Sequence, residues 1–187
     1  YAAYYHNIDE IFNMRGYTMS NPYESIVTMD INPSGTSYAV LTKYKNKTQV
    51  CIYDLWESDN RIYRFKKKYD TSALCYTQDA KSLILADSYG LKFYDAKSFQ
   101  LTDSLSVSFR ATELAVNNNG YFVAATDGIN LGVWNIEAKR LRLSLISNIK
   151  INAIKFSYDN KLFGVLTSDG VLTTYDTRQF NEVAKFD

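Results

Sequence analysis

The chain has 187 residues, 46% of them hydrophobic and 22% charged, the balance of a globular domain able to bury a core. With 21 Lys+Arg against 20 Asp+Glu the formal net charge is +1, so no global field draws the protein to nucleic acid or an anionic membrane; a charge-driven partner must be met by a local patch, and nucleic acid is not expected. No apolar run reaches the roughly 18 residues of a membrane helix, and Cys51 and Cys75 are too few for a disulfide framework and wrongly spaced for a metal knuckle, so both are expected as buried or half-buried free thiols.

Residues 1–25 stand apart from the rest of the chain. Tyr4 to Met14 shows a weak helical period, and Gly16–Met19 reads as a short strand stopped by Ser20-Asn21-Pro22. That strand is either the last of a preceding sheet or a latch onto another one; the alternative is an irregular lead-in. The chain starts at Tyr1, which reads as a cut edge of something longer.

From Ile26 a repeat sets in. Val27, Met29 and Ile31 alternate with polar residues, the period of a half-buried strand. Asn32–Gly35 turns the chain into a strand over 37–42, a Lys-rich tip over 43–48, a strand over 50–55, a turn at 57–60 and a strand over 61–65. The same order returns three times. The second unit runs 71–76, 83–86, 91–95 and 101–105. The third runs 112–116, 121–126, 131–135 and 141–145, and the fourth 151–156, 162–167, 171–176 and 182–186. Asn119-Gly120, Asp127-Gly128 and Asp169-Gly170 are hairpin signals, because both residue types tolerate positive φ.

The third strand of each unit ends in an aromatic residue and Asp or Asn: Tyr53-Asp54, Tyr94-Asp95, Trp134-Asn135 and Tyr175-Asp176. The closing residues lie 41, 40 and 41 positions apart. Four short strands at that period predict an all-β fold, a β-propeller segment of four blades with four antiparallel strands each. The blades are placed at 26–65, 71–105, 112–145 and 151–186. From first turn to closing Asp/Asn the units measure 22, 18, 18 and 19 residues, and the surplus of the first is assigned to its Lys-rich tip.

On these residues the chain resembles the WD-repeat propeller family, as a divergent member with an incomplete ring, over Ile26 to Asp187. Trp occurs only in the third unit, where Asn replaces Asp. The Gly-His that the family places before the first strand is missing, since His6 is the one histidine. The buried set of hydrogen bonds made by His and Asp in the family is therefore incomplete here. The resemblance implies a rigid platform for proteins or peptides.

Val50/Ile52, Leu91/Phe93, Leu131/Val133 and Leu172/Thr174 are expected on one face of their strands, directed at a neighbouring blade. Tyr53, Tyr94, Trp134 and Tyr175 fall on the other. The first-strand pairs Met29/Ile31, Leu74/Tyr76, Leu114/Val116 and Ile154/Phe156 are expected to do the same packing work. A blade cannot hide both faces alone, so two terminal sheets are expected to expose an apolar face. Further blades beyond this segment, a homodimer stacked through the terminal blades, or closure of four blades on themselves would each resolve that.

Little chemistry is legible. One His disfavours metal and triad arrangements, and no phosphate loop or dinucleotide fingerprint occurs; no catalytic residue, metal ligand or cofactor site is assigned. Asp87, Asp127 and Asp169 recur at the tips between second and third strands, where Asp is a good turn starter and where converging carboxylates would do acid–base work or hold a cation. The one local charge feature is basic: Lys43, Tyr44, Lys45 and Lys47 at the first tip, with Lys66, Lys67, Lys68 and Tyr69 on the connection to the second unit. In propeller connectivity these converge on one rim and suit an acidic partner, whereas solubilising lysines at an edge would look the same. The leading expectation is a non-catalytic scaffold for a protein or peptide. The alternatives are a propeller enzyme or a sugar- or anion-binding domain, and blades that complete a larger ring.

Overall fold

A computed structural model describes residues 25–45, 47–56, 61–65 and 70–187. Residues 1–24, with the expected latch strand, and Lys66–Tyr69 lie outside them. The described residues form sixteen strands and no helix. The first sheet holds β1 (Ser25–Ile31), β2 (Ser37–Tyr44), β3 (Lys47–Asp54) and β4 (Arg61–Arg64). The second holds β5 (Ala73–Tyr76), β6 (Ser82–Asp87), β7 (Gly90–Asp95) and β8 (Leu101–Leu105). The third holds β9 (Glu113–Val116), β10 (Phe122–Thr126), β11 (Asn130–Asn135) and β12 (Arg140–Ile146). The fourth holds β13 (Ile151–Phe156), β14 (Leu162–Thr167), β15 (Leu172–Asp176) and β16 (Glu182–Phe186). Each sheet is a four-stranded antiparallel meander in chain order. First strands adjoin in succession, β1 to β5 to β9 to β13, and no comparable contact joins β13 to β1 among the described residues. The arrangement is propeller-like, with one sheet per repeat.

The repeated residues explain the repeated turns. Between first and second strands, the carbonyls of Asn32, Thr77, Asn117 and Ser157 each accept from the backbone N–H three residues on, Gly35, Ala80, Gly120 and Asn160, at 2.8–3.0 Å. Those four donor residues all have φ between 60° and 72°, a left-handed conformation that favours Gly or Asn and leaves Ala80 strained. The signature Asp closes the next turn. Asp95 Oδ1 accepts from Lys97 N, Ser98 N and Ser98 Oγ, and Asp176 Oδ1 accepts from Arg178 N and Gln179 N. Asn135 Oδ1 accepts from Ala138 N and Asp54 Oδ1 from Trp56 N. A side-chain oxygen suffices for this role, so Asn substitutes for Asp. These bonds hold the carboxyls of Asp95 and Asp176 below their ordinary range.

The surplus in the first repeat is not a loop. β2 and β3 have 8 residues each, against 6 in β6 and β7. The extra residues extend the ladder through Lys43↔Thr48 and Tyr44↔Lys47, leaving a two-residue tip, because the alternating pattern of β2 and β3 keeps its register across it.

The core lies between sheets. Leu41, Val50 and Ile52 of the first sheet pack with Leu74 and Tyr76 of the second. Leu91 and Phe93 of the second pack with Leu114, Val116 and Trp134 of the third. Leu131 and Val133 of the third pack with Ile154 and Phe156 of the fourth. Third-strand pairs therefore face the following sheet and first-strand pairs the preceding one, so that both faces of an inner sheet carry apolar residues. Met29 accordingly belongs with Tyr38, Val40, Cys51 and Tyr53 on the far side of the first sheet. Each fully buried aliphatic or aromatic side chain here contributes about 1.5–3 kcal/mol.

Carboxylates on inner strands hook the sheets together at the first and third junctions. Asp30 Oδ2 on β1 accepts from Tyr76 N on β5 at 2.7 Å, and Glu113 Oε1 on β9 accepts from Ile154 N on β13 at 3.2 Å. Both N–H groups sit on the inner edge of a sheet, where no ladder partner exists. Burial raises both carboxyls above their ordinary values. Cys75, on the opposite face of β5, packs against the cluster between the second and third sheets, and burial foremost, with the field of Asp30 second, pushes its thiol up. Neither cysteine is in a disulfide; Cys51 is buried and Cys75 half-buried.

Candidate interaction surface

The structure describes half of the basic patch. Lys43 and Tyr44 end β2, Lys47 begins β3, and Lys45 occupies the tip with φ 52°. The three lysines are exposed and Tyr44 is half-buried. Lys45 Nζ lies 5.4 Å from the Tyr44 ring centroid, within cation–π range. The ladder places the group at the far end of the first hairpin. Lys66, Lys67, Lys68 and Tyr69, expected to converge with it, fall outside the described residues.

The three tip carboxylates act locally. Asp87 Oδ1 accepts from Tyr89 N, and its Oδ2 pairs with Lys92 Nζ at 2.6 Å, with the Asp87 side chain only 3% exposed. Asp127 Oδ1 accepts from Ile129 N and Asn130 N, and its Oδ2 from Asn130 Nδ2. Asp169 Oδ1 accepts from Thr167 Oγ1 and Val171 N. Each is occupied in closing its own hairpin, and no group of three or more His, Cys, Asp or Glu suited to a metal ion occurs among the described residues. Among those residues no helix is long and apolar enough to cross a membrane.

The ends of the stack differ. The far side of the first sheet is buried: Tyr38 is 4% exposed, Val40 0% and Tyr53 8%, and the Tyr38 and Tyr53 rings stack at 5.3 Å. The expectation of an open face at both ends is thus corrected at the first sheet. The far side of the fourth sheet is open. Leu166, Leu172 and Phe186 stand side by side across β14, β15 and β16, exposed by 36%, 37% and 56%. The matching pairs Leu41–Val50, Ala86–Leu91 and Thr126–Leu131 are all buried against the following sheet. Lys155, exposed on β13, and Leu162, exposed on β14, extend the same face.

A second feature lies on the near side of that sheet. A cleft of about 250 Å³ separates it from the third, lined among others by Ile149, Ile151, Val165, Thr173, Tyr175 and Lys185. Ile151 and Val165 form a buried floor, and Ile149 is 43% exposed. Burial first, and the Glu182 carboxylate second, raise the Tyr175 phenol above its ordinary value. Lys185 forms no ion pair among the described residues; the Thr167 hydroxyl foremost, and the field of Lys185 to a smaller degree, hold Asp169 low. The sequence carries no direct sign of this cleft, because it depends on which side chains fail to fill it.

No protein-family model matches the sequence, and no curated protein matches it.

Proposed function

We propose that the protein is a non-catalytic interaction module that engages a protein or peptide through the end of its sheet stack. The observation that carries this reading is the open apolar row Leu166–Leu172–Phe186, built to the same pattern as three faces that serve as packing interfaces. Contiguous apolar surface of this kind favours association over exposure to water. The resemblance to WD-repeat propellers points the same way.

The test is a peptide-display selection against the full chain, followed by binding of the enriched peptides to the Leu166→Lys/Leu172→Lys variant. The variant's fold is checked by circular dichroism. Enriched peptides should be apolar and lose about tenfold or more in affinity to the variant. A selection that enriches nothing, or peptides indifferent to the two lysines, would overturn the reading.

A second reading has the same face covered by a further sheet of the same kind, so that these blades complete a larger ring. It is favoured by the equivalence of Leu166–Leu172 with the buried pairs of the other sheets. A self-association that raises the solution mass and is abolished by the same double variant would support it over peptide capture.

A further inference from the structure

The second and third sheets meet in a wedge that the chain fills itself. Trp134 lies there with 7% exposure, and its indole covers Gly132 so closely that a Cβ at that position would sit 2.1 Å from Cη2. Phe109, from the connection between the sheets, packs beside it with ring centroids 6.3 Å apart. Counted back from the closing Asn135 and Asp176, the places of Trp134 and Gly132 fall in the next wedge on Tyr175 and Thr173. Counted back from the first-turn residues Asn117 and Ser157, the place of Phe109 falls on Ile149. Each replacement opens space. Thr173 carries the Cβ that forbids a ring from lying over the strand, Tyr175 is smaller than Trp, and Ile149 has no ring. The cleft of about 250 Å³ stands where the indole and phenyl lie one repeat earlier.

We propose that this cleft is a binding site for an aromatic side chain of a partner peptide, with a neighbouring carboxylate of that peptide paired to Lys185. The proposal rests on the reading of the protein as an interaction module and names what one part of it recognises. The size argues for a single side chain, since pockets for drug-sized molecules begin near 300 Å³. The apolar floor of Ile151 and Val165 takes the ring, as Ala111 and Ala125 of the filled wedge do. The Lys185 ammonium at the rim has no ion-pair partner among the described residues and selects for negative charge. Aromatic anchors seated in pockets of this kind carry a large share of protein–peptide affinity.

The test uses the full chain, isotope-labelled, titrated with N-acetyl-tryptophan, which carries a carboxylate, and with its neutral amide. Backbone resonances of Ile149, Ile151 and Thr173 should shift, and the carboxylate form should bind about two- to fivefold more tightly, the range of an exposed ion pair. Lys185→Met should erase that preference without erasing binding. Ile149→Phe/Thr173→Gly/Tyr175→Trp rebuilds the filled wedge and should weaken both probes by about tenfold or more. Ile149→Trp, on the exposed connection, gives the same readout should the triple variant fail to fold. Shifts centred away from the cleft, or undiminished binding to a folded wedge-filling variant, would overturn the proposal. Leu166→Lys/Leu172→Lys should leave the probes bound: probes that fail to bind the cleft, with peptide capture by the open face intact in the wild type, sink this inference alone, and peptide capture that survives in the double variant, with the probes still bound, sinks the reading of the open face.

Discussion

Gly132→Ala is the sharpest perturbation of the packing between the second and third sheets. An ideal Cβ at this position meets Trp134 Cη2, Cζ2 and Cζ3 at 2.1, 2.6 and 2.7 Å, while carbon atoms prefer about 3.5–4.0 Å. The ring must give way by more than about 1 Å, but it is hemmed in by Phe109 and the buried face of β10. A ring that shifts in place costs about 1–3 kcal/mol, the usual penalty of overpacking. A ring driven out of the wedge costs about 3–5 kcal/mol, the value of deleting a large aromatic. For a chain of this length each kcal/mol lowers Tm by about 2–4 °C. Thermal melts followed by circular dichroism measure the loss. Trp fluorescence in a Trp56→Phe background identifies its cause, because Trp56 is 76% exposed and Trp134 only 7%. Gly164→Ala is the control: its added Cβ meets nothing nearer than Leu172 Cδ1 at 3.5 Å, and it should be neutral or slightly stabilising. An unchanged Tm with unshifted Trp134 emission in Gly132→Ala would refute the packing argument.

The turns and hooks give three further outcomes. Ala80→Gly should stabilise by about 0.5–1 kcal/mol, because relief of a left-handed Ala outweighs the extra freedom of Gly in the unfolded chain; a lower urea midpoint would contradict it. Phe99 has φ 56° and is 8% exposed, so Phe99→Ala should cost about 3–5 kcal/mol, and Phe99→Gly about 1–2 kcal/mol less as the strain is released. Equal losses, or the reverse order, would show that the left-handed backbone stores nothing. Asp30→Ala leaves Tyr76 N–H without its acceptor and should cost about 1–3 kcal/mol, whereas Asp30→Asn keeps an acceptor oxygen. Burial holds the folded-state value of Asp30 above its ordinary 3.8, so the native state keeps this proton longer than the unfolded chain. The associated stability is present below the unfolded value and is lost as pH rises through the folded one. Denaturation of both proteins between about pH 3 and about pH 7 should therefore show the Asp30→Asn variant gaining on the wild type as pH rises. A pH-independent difference would remove Asp30 from the account.

Local chemistry makes the sheets legible in the chain. An aromatic residue and an acid or its amide at the end of every third strand, with turn residues at matching offsets, mark sixteen strands in four groups, because strand periodicity and turn capping act over a few residues and leave their record there. Hairpin register is equally local, although the longer ladder of β2 and β3 reads as a loop, since Lys-rich segments carry a loop-like composition. What the tertiary structure decided was everything that depends on two sheets meeting. It set which face each pair presents, that Asp30 and Glu113 reach across to the next inner strand, and that Trp134 lies down over Gly132. It also decided that the first sheet's far side is buried while the fourth sheet's stays open. Whether a wedge is filled or left as a cleft turns on side chains from separate strands and connections arriving at one place, as Trp134 and Phe109 do in one repeat and Tyr175 and Ile149 do not in the next. Periodicity in one dimension cannot report a volume enclosed in three.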